Sequence, residues 1–446
     1  MTETGSARTQ SSPPRTGEAA RVVLSSYLGS TLEYYDFLLY GTAASLVFGP
    51  VFFSGLSPAA ATIASLGTFA AGYLARPLGG VVFGHFGDLI GRKKMLVLSM
   101  AIMGAASCLI GLIPPASMIG SWGAIALVTL RVLQGVAIGG EWGGAALMAL
   151  EHAEPKRRGF LAAFTNAGAP TGALLGTLAM SGAALLPSED FLSWGWRVPF
   201  LVSAVMLALG LYVRSKVSES PVFRAAAERA ARERADREES APPLFVVLRR
   251  PRTVVFSALA CIAAFGMQTA FTTFAITYAI KHGGVKSEVL LGFAVGQFCA
   301  IFLVLGYARL SDRVGRRPVM LGGLAGMVVL VYPLFMLLAQ GTLAAAAFAF
   351  IGYTLCQSAT YGPIAAYISE QFGTRSRYTG ASLGYQLATL VGAGFTPVIL
   401  ASLFASAGGS ILPVGLFIIG LCLVSAVFIL LGGESKDNDL DAVGGR

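Results

Sequence analysis

The chain has 446 residues, 55% of them apolar and only 12% charged, with a net charge of +9, where an ordinary soluble domain carries about 25% charged residues. That balance excludes a water-soluble globule, and apolar runs of 18 or more residues recurring along the whole length mark a polytopic membrane protein. The positive charge does not mark a nucleic-acid binder. All Lys and Arg except Arg76, Arg131, Arg197, Lys281 and Lys286 fall in the tails and in every second loop, the pattern of the positive-inside rule with both termini cytoplasmic.

Residues 1–19 are rich in Ser, Thr, Pro and Arg and are expected to form a disordered cytoplasmic N-terminus with no cleavable signal. Six spans follow, at 21–48, 57–84, 95–113, 122–151, 159–185 and 196–215, making a first six-helix bundle over 20–215. A hydrophilic stretch, 216–250, contains RAAAERAARERADREES and reads as a cytoplasmic central loop, a surface helix or a solvated tether. Six more spans, at 252–280, 287–309, 318–339, 342–370, 379–404 and 410–431, make a second bundle over 251–432, and 433–446 is a short cytoplasmic tail. Gly and Ala abound in the spans, as expected where helices approach closely. The cysteines Cys108, Cys261, Cys299, Cys356 and Cys422 lie within spans without ligand spacing, and His85, His152 and His282 lie in loops. No metal site, cofactor or catalytic constellation is expected, so the chain does not read as an enzyme.

Five formal charges stand inside the spans away from their ends, Glu33, Asp36, Arg76, Arg131 and Glu141, while every other charge falls in a loop, a tail or at a helix end. Each costs roughly 2.5–3.5 kcal/mol near the bilayer centre, so five left unpaired would cost on the order of 10–15 kcal/mol. They must find partners or line a wet cavity. Glu33 and Asp36, three residues apart, share a helix face. Asp36 and Arg131 lie about twelve and about nine residues inside the outer ends of their spans, and at about 1.5 Å per residue those depths agree within about 5 Å. An Asp36–Arg131 pair is therefore geometrically allowed. Glu33, Arg76 and Glu141 lie nearer the cytoplasmic ends, which predicts a lower cluster beneath the upper pair. The competing reading is that all five are structural ion pairs fixing helix register. The second six spans hold no charge away from their ends and offer Gln268, Thr269, Thr272, Thr273, Gln297, Gln357, Tyr361, Tyr385 and Gln386 instead. Such groups orient a solute but take up no proton near neutral pH.

An internal repeat supports the division into six plus six. GHFGDLIGRKKML after span two and ARLSDRVGRRPVM after span eight share D-x-x-G-R-[KR], at Asp88/Gly91/Arg92 and Asp312/Gly315/Arg316, 224 residues apart. The tight loop needs glycine, and its carboxylate and guanidinium can cap or bridge helix ends. A weaker echo places Glu151 before Arg157 and Arg158, and Glu370 before Arg375 and Arg377. Asp88, Arg92, Glu151, Arg158, Asp312, Arg316, Glu370 and Arg377 are the candidates for networks that lock one conformation and break in another, or else are solvated anchors.

These duplicated loops resemble the loop signature of the major facilitator superfamily, over residues 20–432. STLEYYDFLLYGTAA, ARPLGGVVFGHFGD, RVLQGVAIGGEWGGAALM, ESPVF and RYTGASLGYQLA narrow the resemblance to its metabolite:proton symporter branch, which includes carriers of shikimate, oxoglutarate, citrate, other dicarboxylates, and proline or betaine. Tyr34 departs from the branch, where Trp is more usual. The resemblance implies an all-α membrane protein of twelve transmembrane helices in two pseudo-symmetric six-helix halves. It also implies a proton-coupled symporter in the cell (inner) membrane, acting as a monomer on a small molecule and protons. It favours the Asp36–Arg131 pair as a proton-coupling arrangement, with Glu33 as the second candidate acid. The substrate, a small organic carboxylate, would bind between the halves among Arg76, Arg131, Gln134, Asn166, Gln268, Gln357, Tyr361 and Tyr385, since guanidinium binds carboxylate bidentately and keeps its charge when dehydrated. Carriage of a zwitterionic osmolyte is the nearest alternative. Drug:proton antiport, suggested by GAPTGALLG in span five, is a further one, and a transporter-like receptor another.

Overall fold

The structure, a computed structural model, describes residues 16–151, 153, 157–216, 251–373 and 377–436. Residues 1–15 of the expected disordered N-terminus, almost all of the central loop and most of the C-terminal tail lie outside the described residues, and residues 16–19, expected to be disordered, instead form the start of the first helix. The first half comprises α1 (Thr16–Leu46), α2 (Pro58–Ile90), α3 (Arg92–Leu112), α4 (Trp122–Glu151), α5 (Arg158–Ala183) and α6 (Arg197–Ser215). In the second half α7 runs Pro251–Thr269, through a π-helical turn at Ala270–Phe274, to Ala275–Lys281. It is followed by α8 (Lys286–Val314), α9 (Arg316–Leu338) and α10, which breaks at Gly362–Pro363 into Leu343–Tyr361 and Ile364–Ser369. α11 runs Arg377–Thr389, a π turn at Leu390–Gly394, and Thr396–Ser406, and α12 is Leu412–Gly432. The architecture is all-helical, in two halves of six.

Among the described residues, nine helices are long and apolar enough to cross a membrane on sequence alone. The three long helices that fall short are α1, α2 and α5. Two of these carry Glu33, Asp36 and Arg76, and α5 is dominated by Gly, Ala, Thr and Asn. Their polarity is affordable because neighbours cover them: Glu33, Asp36, Arg76 and Asn166 are all buried. The outer surface is the reverse, with Leu74, Tyr212, Phe298, Val329, Met336 and Val398 exposed. Large apolar side chains exposed over so wide a belt suit a hydrocarbon solvent rather than water.

Glycine sets how closely the charged helices approach. A Cβ at Gly135 or Gly139 of α4 would collide with the carbonyl oxygens of Gly72 and Arg76 on α2, and one at Gly79 with that of Val136. The two backbones are therefore in contact along several turns, the small-residue packing expected in lipid. α5 is likewise seated on α1, where a Cβ at Gly168 or Gly172 would meet the carbonyls of Tyr27 and Thr31. Gly139→Ala is expected to destabilise the protein by about 1–3 kcal/mol through overpacking. Thermal unfolding in detergent reads this as a lower midpoint, and a wild-type midpoint would show that α2 and α4 can separate at little cost.

Both copies of the duplicated loop turn on glycine. Gly91 joins α2 to α3 at φ +111°, and Gly315 joins α8 to α9 at φ +106°, a region that side-chain-bearing residues avoid. The carboxylate before each glycine and the guanidinium after it thus lie at one end of the bundle. This is the end where α1 begins and α12 stops, hereafter the terminal end.

Candidate functional site

Asp36 faces neither lipid nor the other half but the core of its own half, and it is 1% exposed. Ser107 of α3 donates to its Oδ2 at 2.5 Å and Ser203 of α6 donates to its Oδ1 at 2.6 Å. Ser107 in turn accepts from Gln134 Nε2 at 2.7 Å, and Gln134 Oε1 accepts from Arg131 Nη1 at 3.2 Å. Arg131 is therefore joined to Asp36 through Gln134 and Ser107, and the expected direct pair is corrected to a bridged one. The depth argument placed the two charges on one level, but α3 supplies a serine between them. Gln134, expected to hold substrate, is committed to this bridge.

The Arg131 guanidinium lies over aromatic faces, 4.1 Å from the centroid of Tyr40, 5.0 Å from Phe69 and 5.7 Å from Phe37. Arg76 does the same, 4.5 Å from Tyr73 and 5.2 Å from Phe37. Phe37 thus stands between two guanidinium groups. Among the described residues neither arginine has a carboxylate at ion-pair distance, and Arg131 Nε is buried with no acceptor. Two buried cations cushioned by quadrupoles and short of acceptors form a site ready for an anion.

The lower cluster is also rearranged. Glu141 pairs with Arg214 of α6 at 2.6 Å, not with Arg76, and Arg214 also donates to the Leu96 carbonyl. Gly29 makes room for the pair, since a Cβ there would lie against both groups. Arg214 stands at a helix end, where the sequence leaves it free to reach solvent, yet it is 2% exposed. Its long stem carries the guanidinium inward from the last turn of α6. Glu33 has Arg76, Glu141 and Arg214 as charged neighbours, and its Oε2 is buried without a hydrogen-bond partner.

Where the halves meet, three tyrosine hydroxyls converge. Tyr34 lies 3.1 Å from Tyr361 and 3.4 Å from Tyr385, and the latter two are 3.2 Å apart. Trp142 stacks on Tyr385 with ring centroids 3.5 Å apart, and its Nε1 donates to Asn166 Oδ1 at 2.9 Å. Asn166 Nδ2 donates to the Tyr361 carbonyl at 2.7 Å, beside the break in α10. Asn166 therefore holds α5 to α10 and Trp142, a contact between halves. Gln386 is spent similarly, donating to the Gly139 carbonyl at 3.0 Å. The side chains of Gln268 and Gln357 make no protein hydrogen bond among the described residues, although the Gln357 carbonyl accepts from the Thr360 hydroxyl.

At the terminal end the halves are latched by the two copies of the repeat. Asp88 accepts from the backbone N–H groups of Tyr378 at 3.4 Å and Thr379 at 3.0 Å, and from the Thr379 hydroxyl at 2.8 Å, at the start of α11. Asp312 accepts from the N–H groups of Gly159 at 2.9 Å and Phe160 at 2.8 Å, at the start of α5. Each aspartate thus caps a helix of the opposite half, where the helix dipole and unpaired N–H groups favour a carboxylate. Arg92 lies 3.9 Å from Asp88, and Arg316 binds Asp312 at 2.6 Å and Glu370 at 3.1 Å. Arg377 donates to the Phe372 carbonyl at 2.9 Å, within its own half, and Arg158 stands at the start of α5. The side chain of Glu151 lies outside the described residues.

The tail adds a third fastening: Glu434 accepts from the backbone N–H groups of Arg316 and Arg317, and Ser435 donates to Glu370. Partial burial pushes the Glu434 carboxyl up, but N–H donation from Arg316, Arg317, Lys436 and Ser435 outweighs it and holds the group below the ordinary glutamate range. The cap is therefore complete at neutral pH and is lost only as pH falls through that depressed value.

The bundle is closed at this end. Replacing Asp88 and Asp312 together by Asn removes both charged caps and is expected to open it. A cysteine at Ser382, which is buried against Gly143, would then react with a polar maleimide about ten-fold faster. An unchanged rate would mean that the caps do not hold the closure.

The profile of the Major Facilitator Superfamily matches residues 24–393. The shikimate transporter of Escherichia coli strain K12 is 39% identical over 424 residues, covering 94% of this chain and 95% of that protein. The proline/betaine transporter of the same strain is 30% identical over 431 residues, covering 94% and 84%. Among solved structures, the proton:xylose symporter XylE bound to 6-bromo-6-deoxy-D-glucose aligns at a TM-score of 0.76 and 17% identity, covering 96% and 98% of the two chains. The chain therefore belongs to the major facilitator superfamily, in its metabolite:proton symporter branch, and is a multi-pass membrane transporter rather than an enzyme.

Proposed function

We propose that the protein is a proton-coupled symporter that imports a small organic carboxylate by alternating access, with the terminal end facing the cytoplasm of a bacterial inner membrane. The observation that carries this reading is the bridged Asp36–Arg131 unit. It joins a buried carboxyl, which can carry a proton, to a guanidinium that lacks an ionic partner and adjoins Arg76. Two such cations require a counter-anion to be comfortable in a low-dielectric site, and the substrate carboxylate supplies it. Protonation of Asp36 removes the negative end of the unit and frees Arg131 to hold the anion, so that proton and substrate enter together. The closed terminal end and the rocking of six-helix halves around a midplane site then give alternating access.

The nearest relative by identity among those above is a shikimate transporter, which agrees with a carboxylate cargo. The proline/betaine relative keeps a zwitterion in view. A quaternary ammonium needs free aromatic faces, whereas Tyr40, Phe69, Tyr73 and Phe37 are already faced by Arg131 or Arg76. That occupancy favours a net anion.

The experiment is pH-gradient-driven uptake into proteoliposomes with shikimate, oxoglutarate, citrate, succinate, proline and betaine in one competition panel. Accumulation of a carboxylate that a protonophore collapses is the expected result. Uptake of proline or betaine alone would replace this reading by osmolyte transport, and resistance to lipophilic compounds without concentrative uptake would replace it by drug efflux.

A further inference from the structure

We propose that Ser107, Ser203 and Gln134 are positioning residues of the proton site. They form a one-way chain of hydrogen bonds through which the protonation state of Asp36 sets the hold on Arg131. The inference rests on the reading of Asp36 as the proton-bearing group.

The direction of the chain follows from its two charged ends. Arg131 is donor-only, so Gln134 must turn its Oε1 to Arg131, which leaves Nε2 for Ser107. Ser107 therefore receives an N–H and can satisfy Asp36 only with its own O–H. Every donor in the series points away from the guanidinium and toward the carboxylate. Ser203 closes the other side by donating to Oδ1. Ser107, Ser203, Gln134 and Asp36 are all buried, so each link is made by protein groups away from bulk solvent.

When a proton arrives, the new bond is between that proton and one carboxyl oxygen, and no covalent bond breaks. The acid O–H needs an acceptor. Ser107 already accepts from Gln134, whereas the Ser203 hydroxyl accepts from no protein group among the described residues, so Ser203 is the group better placed to accept. Its own hydrogen can rotate toward the carbonyl one helical turn back, that of Pro199, which also receives the Tyr35 hydroxyl at 2.9 Å. Ser107 then donates to a neutral carbonyl rather than to a carboxylate, a bond roughly half as strong. The chain loses its negative end, and Arg131 Nη1 is released toward the substrate side. Ser203 is thus the acceptor for the protonated state, and Ser107–Gln134 is the link that reports that state to Arg131. The other charged or titratable groups facing Asp36 are Arg131 and Glu141 on α4, Tyr35 on α1 and Cys108 on α3. α6 presents the Ser203 hydroxyl.

The test uses the purified full-length protein and needs two readouts. In the first, an infrared pH titration follows the carbonyl band of the protonated carboxyl, which Asp36→Asn should remove. Ser107→Ala deletes a donor to the carboxylate alone and is expected to move the band's midpoint to higher pH by about one unit, whereas Ser203→Ala deletes the donor of the charged state together with the acceptor of the protonated one and should move it by less. Ser107→Thr and Ser203→Thr, which keep the hydroxyl, should restore it. In the second, proteoliposomes take up labelled shikimate. The wild type should show an apparent KM about ten-fold lower at pH 5.5 than at pH 8, within the usual range of coupling between two sites. Gln134→Leu should flatten that dependence to less than about two-fold. If Ser107→Ala keeps the wild-type midpoint, and Gln134→Leu keeps the wild-type KM profile while only lowering the rate, the three residues are structural and the inference fails. A band that survives in Asp36→Asn instead overturns the underlying assignment of the proton to Asp36, a distinct outcome.

Discussion

Asp36→Asn is expected to abolish accumulation of substrate against its gradient while exchange of substrate across the membrane persists. Asparagine matches aspartate in shape, and its carbonyl can accept from Ser107 while its NH2 donates to Ser203, so both contacts now made at 2.5 and 2.6 Å keep a partner. What it cannot do is bind and release a proton. In an electroneutral one-to-one symporter each unit of pH gradient sustains about a ten-fold concentration ratio, because one unit is worth about 1.4 kcal/mol. The variant should therefore fall from that ratio to about one, with substrate counterflow still measurable in the same vesicles. Retained accumulation by the variant would move the proton elsewhere, first to Glu33, whose Oε2 is buried without a partner and whose neighbours are Arg76, Glu141 and Arg214. The same substitution at Glu33 would then have to uncouple transport.

The five intramembrane charges were legible in the sequence because each stands in an apolar run, and hydrocarbon permits few such exceptions. Counting residues from the helix ends also put Asp36 and Arg131 at one depth. Their mode of contact was hidden because depth along two helices says nothing of what a third helix inserts. Ser107 on α3 and Ser203 on α6 are the groups that touch Asp36, and a serine in an apolar helix gives no periodic signal to distinguish a ligand from ordinary helix–helix glue. The signal that could have found them is scarcity, since α3 offers only Ser99 and Ser107 as hydroxyls along its length. Arg214 was lost for a different reason. A basic residue in the last turn of a helix fits the positive-inside rule so well that the rule conceals the residue's second option, which is to turn its stem inward.

The repeat at Asp88 and Asp312 was legible as a pair of loops. Its chemistry, each carboxylate capping a helix of the opposite half, depends on tertiary contacts 290 and 153 residues apart in sequence. The tyrosine cluster is the extreme case. Tyr361 and Tyr385 were recognisable as polar groups in a charge-free half, but their partner Tyr34 lies 327 residues from Tyr361, where no local pattern reaches.

Removing Arg214 should cost more stability than removing any other single side chain of the lower cluster. Arg214→Ala leaves Glu141, which is 0% exposed, with no cation at ion-pair distance. Breaking a buried pair from one side typically costs about 3–5 kcal/mol. The Leu96 carbonyl loses its extra donor as well. Glu141→Leu combined with Arg214→Met removes both charges and keeps the volume, and should recover most of the loss, because a buried pair is worth little relative to a packed apolar replacement. Unfolding midpoints in detergent compare the three proteins directly, and an Arg214→Ala midpoint equal to wild type would show that water reaches Glu141.

The functional consequence follows from the same charges. With Arg214 gone, Glu33 stands beside the unpaired Glu141 with Arg76 as its remaining cationic neighbour. The added negative charge is expected to draw Arg76 away from the faces of Tyr73 and Phe37, where the proposed function has it meet the substrate. Arg214→Ala should therefore raise the KM for a carboxylate substrate by about ten-fold in the protein that does fold. The double replacement, leaving Arg76 with Glu33 alone, should bring KM back part of the way. A KM that tracks stability and not the number of carboxylates would mean that Arg76 is held by its aromatic neighbours and does not answer to the cluster below.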